Sequence, residues 1–177
     1  MRITGGRLGG RKLASPPKGS VDVRPTSDRA RETLFAVLGD VSDLSVLDLF
    51  CGTGALALEA ISRGADSAVL VDRAPALARR NAEALGIANR CEAVRADAIR
   101  YLERSDDRFG LIFCDPPYKL ADRLGPELAK HLSARLAKYG RLVVESSART
   151  PLEIDLPKVE LIDERRIGEA LMRIYRK

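Results

Sequence analysis

Short aliphatic runs alternate with longer amphipathic ones, and this alternation constrains the chain more than anything else in it. "SVLDLF" (45–50), "SAVLVD" (67–72), "CEAVRA" (91–96), "FGLIFCD" (109–115) and "GRLVVES" (140–146) each read as a strand. Between them lie "GALALEAISRG" (54–64), "PALARRNAEALG" (75–86), "DAIRYLERS" (97–105) and a mostly helical segment over 121–138. Gly64 and Gly86 end the first two helices, Pro75 opens the second, and Asp97 caps the third. Helices of this length are the crossovers that parallel strands require, so the pattern predicts a mostly parallel sheet covered on both faces. "VELIDERRI" (159–167) and "ALMRIYRK" (170–177), joined at Gly168, predict a closing antiparallel pair. Upstream, "RPTSDRARETLFAVLG" predicts a helix. Thr26, Ser27 and Asp28 are its cap candidates, Ala30, Leu34, Val37 and Leu38 form one apolar face, and Gly39 is its stop.

Sheets of this kind bind ligands at the carboxyl ends of their strands, where strand order reverses. Acids stand there repeatedly. Asp48 precedes Phe50-Cys51-Gly52-Thr53-Gly54, Asp72 ends the second strand, Asp97 follows the third, and Asp115 ends the fourth. Gly52 and Gly54 let the backbone turn tightly and approach a ligand closely. Asp72 lies 20 residues beyond Gly52, where a carboxylate accepts the hydroxyls of a ribose. Asp97 is placed for an adenine amino group. Together these residues describe an adenosine site. The loop is not a P-loop, since no Gly-Lys-Ser/Thr follows. "GTGALA" also satisfies the dinucleotide pattern, so the loop alone leaves a nicotinamide oxidoreductase open.

The fourth strand ends on "DPPY" (115–118). Two consecutive prolines cannot continue a buried strand, and they fix φ while removing two N–H groups. Such a turn is rigid, and it presents the Asp115 carboxylate and the Pro116 carbonyl as acceptors. Pro117 completes it, and Tyr118 supplies a ring that can stack on a planar base. A nicotinamide enzyme has no evident need for this arrangement.

Charge is unevenly distributed. Residues 1–19 hold Arg2, Arg7, Arg11, Lys12 and Lys18 and no acid, which equals the whole formal net charge of +5. A basic arm over residues 1–23, preceding a catalytic domain over 24–177, is the footprint of nucleic-acid binding, and Arg24 extends it. Its paired glycines predict a small hairpin turning at Gly5-Gly6 or Gly9-Gly10. The three cysteines are widely spaced and His131 is the only histidine. A disulfide framework, a zinc site and a histidine triad are therefore poorly supported, and no metal is expected. No apolar run reaches membrane-spanning length and no secretory pattern is read at the start, so the expected location is the cytoplasm.

"VLDLFCGTGALALEA" with "DPPY" resembles the class I S-adenosylmethionine-dependent methyltransferases that act on exocyclic amino groups. "RITGGRLGGRKL" and "RPTSDRARETLFAVL" narrow the resemblance to the RsmD family, the 16S ribosomal RNA guanine-N2 methyltransferases of the bacterial small subunit. It runs from about Arg2 to Tyr118 and is looser beyond. It implies a Rossmann-like seven-stranded sheet with an antiparallel last strand, preceded by a β-hairpin arm that touches RNA. It implies S-adenosylmethionine as cofactor, held by Thr26, Arg29, Asp48, Phe50, Gly52, Thr53, Gly54, Asp72, Arg73, Asp97, Ala98 and Asp115. It implies 16S rRNA within an assembling 30S subunit as partner, and a monomer is the expected state. Members often carry glycine where this chain has Ala57, which predicts only a slight change in helix packing near the cofactor.

A guanine amino nitrogen is a poor nucleophile because its lone pair is delocalised into the ring. Acceptors for its hydrogens, Asp115 and the Pro116 carbonyl, turn that lone pair outward. Catalysis then rests on alignment and electrostatics. An adenine-N6 methyltransferase of DNA or RNA is the alternative, although no large target-recognition segment is present. A non-catalytic nucleic-acid binder on a retained fold is a third reading, which the intact acids argue against. Cys114 precedes the acid rather than following a proline, unlike the nucleophile of cytosine-C5 enzymes.

Overall fold

The computed structural model describes residues 1–16, 27–117 and 121–177, with the side chains of 121 and 122 excluded. Thr26, Lys18, Arg24 and Tyr118 lie outside the described residues. Five helices, α1 (Asp28–Leu38), α2 (Ala55–Ser62), α3 (Ala76–Leu85), α4 (Ala98–Arg104) and α5 (Ala121–Arg135), are described. They accompany strands β1 (Ser45–Leu49), β2 (Ser67–Asp72), β3 (Cys91–Arg95), β4 (Phe109–Cys114), β5 (Leu136–Ser147), β6 (Glu160–Ile167) and β7 (Ala170–Arg176). These strands form one seven-stranded sheet of order β3-β2-β1-β4-β5-β7-β6. β1 to β5 pair in parallel, and β7 is antiparallel to both of its neighbours. The Rossmann-like class I methyltransferase architecture expected from the sequence is therefore present, with its antiparallel last strand.

The sheet separates two apolar layers. One packs α1, α2 and α3 against Val46, Leu70, Leu111, Phe113, Val143 and Ile174. The other packs α4 and α5 against Leu47, Leu49, Val71, Ile112, Leu142 and Val144. Alternate residues of β1, β4 and β5 divide between the layers, as strand geometry dictates for a sheet buried on both sides. Local signals set the helix ends. The Ser27 hydroxyl accepts from Ala30 N (3.2 Å), Asp97 accepts from the amides of Ile99 and Arg100, and Gly86 sits at φ 74.

One boundary differs from the sequence expectation. β5 begins at Leu136, within the segment expected to be helical, because Leu136 pairs with Phe109. Regular pairing resumes only at Arg141, after a shift that takes in Tyr139 at φ 62. The N-terminal segment pairs as the expected small hairpin, with Ile3 N donating to Arg11 O and Leu13 N to Met1 O. Arg2 and Lys12 form an isolated antiparallel bridge, and a 3-10 turn (Gly6–Leu8) lies between them.

That segment is fastened to the domain. Ile3 and Leu13 are buried in the same layer as α1 to α3. Glu59, fully buried on α2, accepts from Thr4 N (2.7 Å), Thr4 Oγ1 (2.8 Å), Gly5 N (2.8 Å) and Arg63 Nε (2.8 Å). The Ser62 hydroxyl accepts from Leu8 N and donates to Gly5 O. Gly6 has φ 72, and a Cβ there would stand 2.0 Å from Ser62 O, so only glycine permits this approach. Buried Arg31 donates to Arg2 O and Asp28 Oδ1.

Candidate active site at the sheet rim

The rim opens between β1 and β4, where strand order reverses. Leu49 is in register with Cys114, so the chains leaving the two strands stand side by side. On the β1 side Phe50 adopts φ 62, an uncommon conformation for a side-chain-bearing residue, and Gly52 and Gly54 follow at 52 and 76. A Cβ on Gly54 would press on Ala78 and Leu58 at 3.1 and 3.3 Å, so the loop lies flat against α2 and α3. A Cβ on Gly52 would meet Phe50 O at 4.0 Å, an ordinary contact.

Asp72 fixes this loop from β2. Its Oδ2 accepts from Gly52 N (3.0 Å) and its Oδ1 from Ala74 N (2.8 Å). Asp97 serves as the N-cap of α4, and its Oδ2 accepts from Arg73 (2.6 Å). That contact and the two amide bonds hold the Asp97 carboxyl below the usual carboxylate range, the Arg73 bond being the largest cause. Ala98 is buried at the start of the same helix. Arg29 is on the first turn of α1, exposed.

Asp48 does not face the rim as a ligand acid would. It is 2 % exposed beneath the loop, and its Oδ2 accepts from Ala57 N (3.2 Å) in the first turn of α2. Burial pushes its carboxyl up to about 7, against the opposing amide bond and with help from Asp72.

β4 delivers Asp115, with Pro116 buried and Pro117 exposed behind it. Cys114 pairs with Val144, so Asp115 emerges beside Glu145. The alternation places both acids on the face of Phe113 and Val143. Burial, then Glu145, then Asp48 drive the Asp115 carboxyl well above its ordinary range. Neighbouring carboxylates resist ionising together. Glu145 is 5 % exposed, and it is a site residue missing from the acids read off the sequence above. A signal for it exists, since "VVES" ends the fifth parallel strand on an acid as the earlier strands do. Among the described residues no group of His, Cys, Asp and Glu is arranged to hold a metal ion. Cys51 and Cys114 are buried, and burial pushes both thiols far up, which makes them poor nucleophiles.

The basic residues of the arm divide. Arg2, Arg7 and Lys12 are exposed. Arg11, exposed as well, also turns onto α3 and donates to Leu85 O (3.0 Å) and Ala84 O (2.8 Å), carbonyls at a helix end that need donors. Its contacts are those of a structural cap.

A family model described as "Conserved hypothetical protein 95" matches residues 1–176. The chain is 34% identical over its whole length to ribosomal RNA small subunit methyltransferase D of Escherichia coli K12, of which it covers 90%. It superposes on the solved structure of yhhF from Escherichia coli with a TM-score of 0.81 and 33% identity, covering 100% of this chain and 97% of that one. The hypothetical protein TTHA0928 of Thermus thermophilus gives 0.79 and 29%, covering 98% of each chain.

Proposed function

The chain belongs to the RsmD family, and from that premise we propose that it transfers a methyl group from S-adenosylmethionine to the exocyclic N2 of a guanine in 16S rRNA. The observation that carries the reading is the juxtaposition of the Asp115–Pro116–Pro117 turn with the glycine loop across the β1–β4 reversal. One side suits an adenosine-containing cofactor and the other an amino group on a planar base.

The residues of the rim fit that cofactor. Exposed Gly52 carries no side chain to crowd a ligand on the loop, and Asp72 presents a partly exposed carboxylate to vicinal hydroxyls. Asp97 stands one strand further on for the base, and Phe50 and Thr53 border the loop. When bound, S-adenosylmethionine supplies an electrophilic methyl group on a cationic sulfur. The chain's own residues do the rest. Asp115 and the Pro116 carbonyl accept the two amino hydrogens and turn the nitrogen lone pair out of the ring plane. Neither proline offers an N–H that would compete. Tyr118 stacks on the base. The alkylated nitrogen is acidic and gives up one proton, which Asp115 accepts in its ionised form. A carboxyl whose affinity for protons is raised is suited to that step.

Arg2, Arg7 and Lys12, continued by Lys18 and Arg24, hold RNA phosphates while the target base leaves its stack. The test is labelled methyl transfer to 30S subunits and to stripped 16S RNA from cells lacking the protein, followed by nucleoside analysis. N2-methylguanosine that vanishes with Asp115→Ala is the expected result. N6-methyladenosine would replace this reading with the adenine one, and transfer to neither substrate would remove rRNA as the acceptor.

A further inference from the structure

The residue that joins the arm to the glycine loop belongs to neither. Asn81 lies on α3 and is 3 % exposed. Its Nδ2 donates to Thr53 O (2.9 Å) and to Ala14 O (3.1 Å), and its Oδ1 accepts from Ala14 N (2.8 Å). Both amide hydrogens and one acceptor position are thus committed, on a side chain closed off from solvent. Thr53 is the central residue of the loop. Its peptide to Gly54 is held at both ends, by Asn81 at the carbonyl and by Cys51 O at Gly54 N (2.7 Å). Thr53 also reaches the arm directly, where its hydroxyl meets Met1 Sδ at 3.6 Å. Arg11 grips the far end of the same helix.

We propose that Asn81 is a positioning residue that makes docking of the N-terminal arm and binding of the cofactor one coupled equilibrium. The inference rests on the reading of the glycine loop as the cofactor site. A ligand on the loop must hold the Thr53 peptide in one orientation. That orientation is the one in which Thr53 O faces Asn81, and Asn81 in that rotamer pairs with both backbone groups of Ala14. Whatever stabilises one end therefore stabilises the other, and linkage makes the effect reciprocal. Nucleic acid that holds the arm in its docked position tightens cofactor binding by the same factor that cofactor tightens the grip on nucleic acid. The arm contributes in this way without touching the cofactor.

The test uses S-adenosylhomocysteine as the probe and reads hydrogen exchange as well as affinity. In the wild-type protein, saturating probe should slow exchange at Ile3, Gly10 and Leu13, whose amides donate within the arm. In Asn81→Ala that protection should disappear, and probe affinity should fall about tenfold or more, equivalent to losing roughly one buried hydrogen bond. A purely structural role would lower stability without making arm exchange respond to a ligand bound elsewhere. Probe binding that leaves arm exchange in the wild type unchanged overturns the inference, and this experiment needs no variant to fold. Arm protection that persists in a folded Asn81→Ala protein overturns it equally. Absence of probe binding to the wild type would remove the cofactor reading and this inference together, whereas binding without arm protection removes this inference alone.

Discussion

Glu59 and Asp48 are both buried carboxylates on the same side of the sheet, and they are treated in opposite ways. Glu59 accepts four hydrogen bonds, three from the arm and one from Arg63. Asp48 accepts one from Ala57 N, and burial pushes its carboxyl up to about 7. Asp115, with Glu145 beside it, is also driven well above its ordinary range. A buried acid surrounded by donors is a rivet, because its charge is stabilised in the one geometry that supplies them. An acid held among other acids keeps its charge conditional. The arm is built in the first way and the rim in the second.

The sharpest test of the contrast is Asp115→Ala. It should lower methyl transfer at least roughly a thousandfold while S-adenosylhomocysteine affinity, read by calorimetry, changes by less than about fivefold. Loss of both together would mean that Asp115 is also a rivet. Glu59→Ala should cost about 3 kcal/mol in urea unfolding, because it strands Arg63 and two arm amides at once. A cost under about 1 kcal/mol would show that the arm is loosely held.

Asp48→Asn should act in the opposite sense. Between about pH 4 and 7 the folded chain holds a proton on Asp48 that the unfolded chain has released, so stability falls as pH rises through that window. The amide retains an acceptor for Ala57 N and removes the slope. The variant should therefore gain on the order of 1–2 kcal/mol relative to wild type at about pH 8 and little at about pH 4, by thermal melting at both values. Methyl transfer should rise with pH as Asp115 ionises. Glu145→Gln removes the neighbouring charge and should move that rise to lower pH in a kcat profile. An unmoved profile would separate Glu145 from the reacting pair. The smallest effect concerns the arm surface. Arg7→Ala with Lys12→Ala should weaken RNA binding several-fold and flatten its salt dependence by about one to two ions. Arg11→Ala should instead lower stability and leave that slope alone.

The parallel core of the fold was legible because each strand and helix carries its own periodic pattern and stop. The start of β5 was not, since the pairing of Leu136 with Phe109 is a tertiary event that leaves no local signal. At the rim, the acids at strand ends do stand on neighbouring strands, but the sequence does not distinguish their surroundings. Asp48 sits one residue before the end of β1, and that single step places it under α2 rather than in the open. Glu59 escapes a sequence reading because a glutamate on a helix usually meets water. Its clue is context, an acid inside "ALALEAIS" where every face is apolar. Asn81 gives no clue at all, because its partners are backbone groups far away in sequence.

The position of β7 has a consequence for how the protein is made. Residues 170–176 are the last strand of the sheet to be synthesised, yet they lie inside it, between β5 and β6. Until they leave the ribosome, β5 presents an unpaired edge and β6 has nothing to join. The first five strands can assemble as the chain emerges, but the sheet closes only after translation has passed Arg176, with the β6–β7 hairpin docking as a unit.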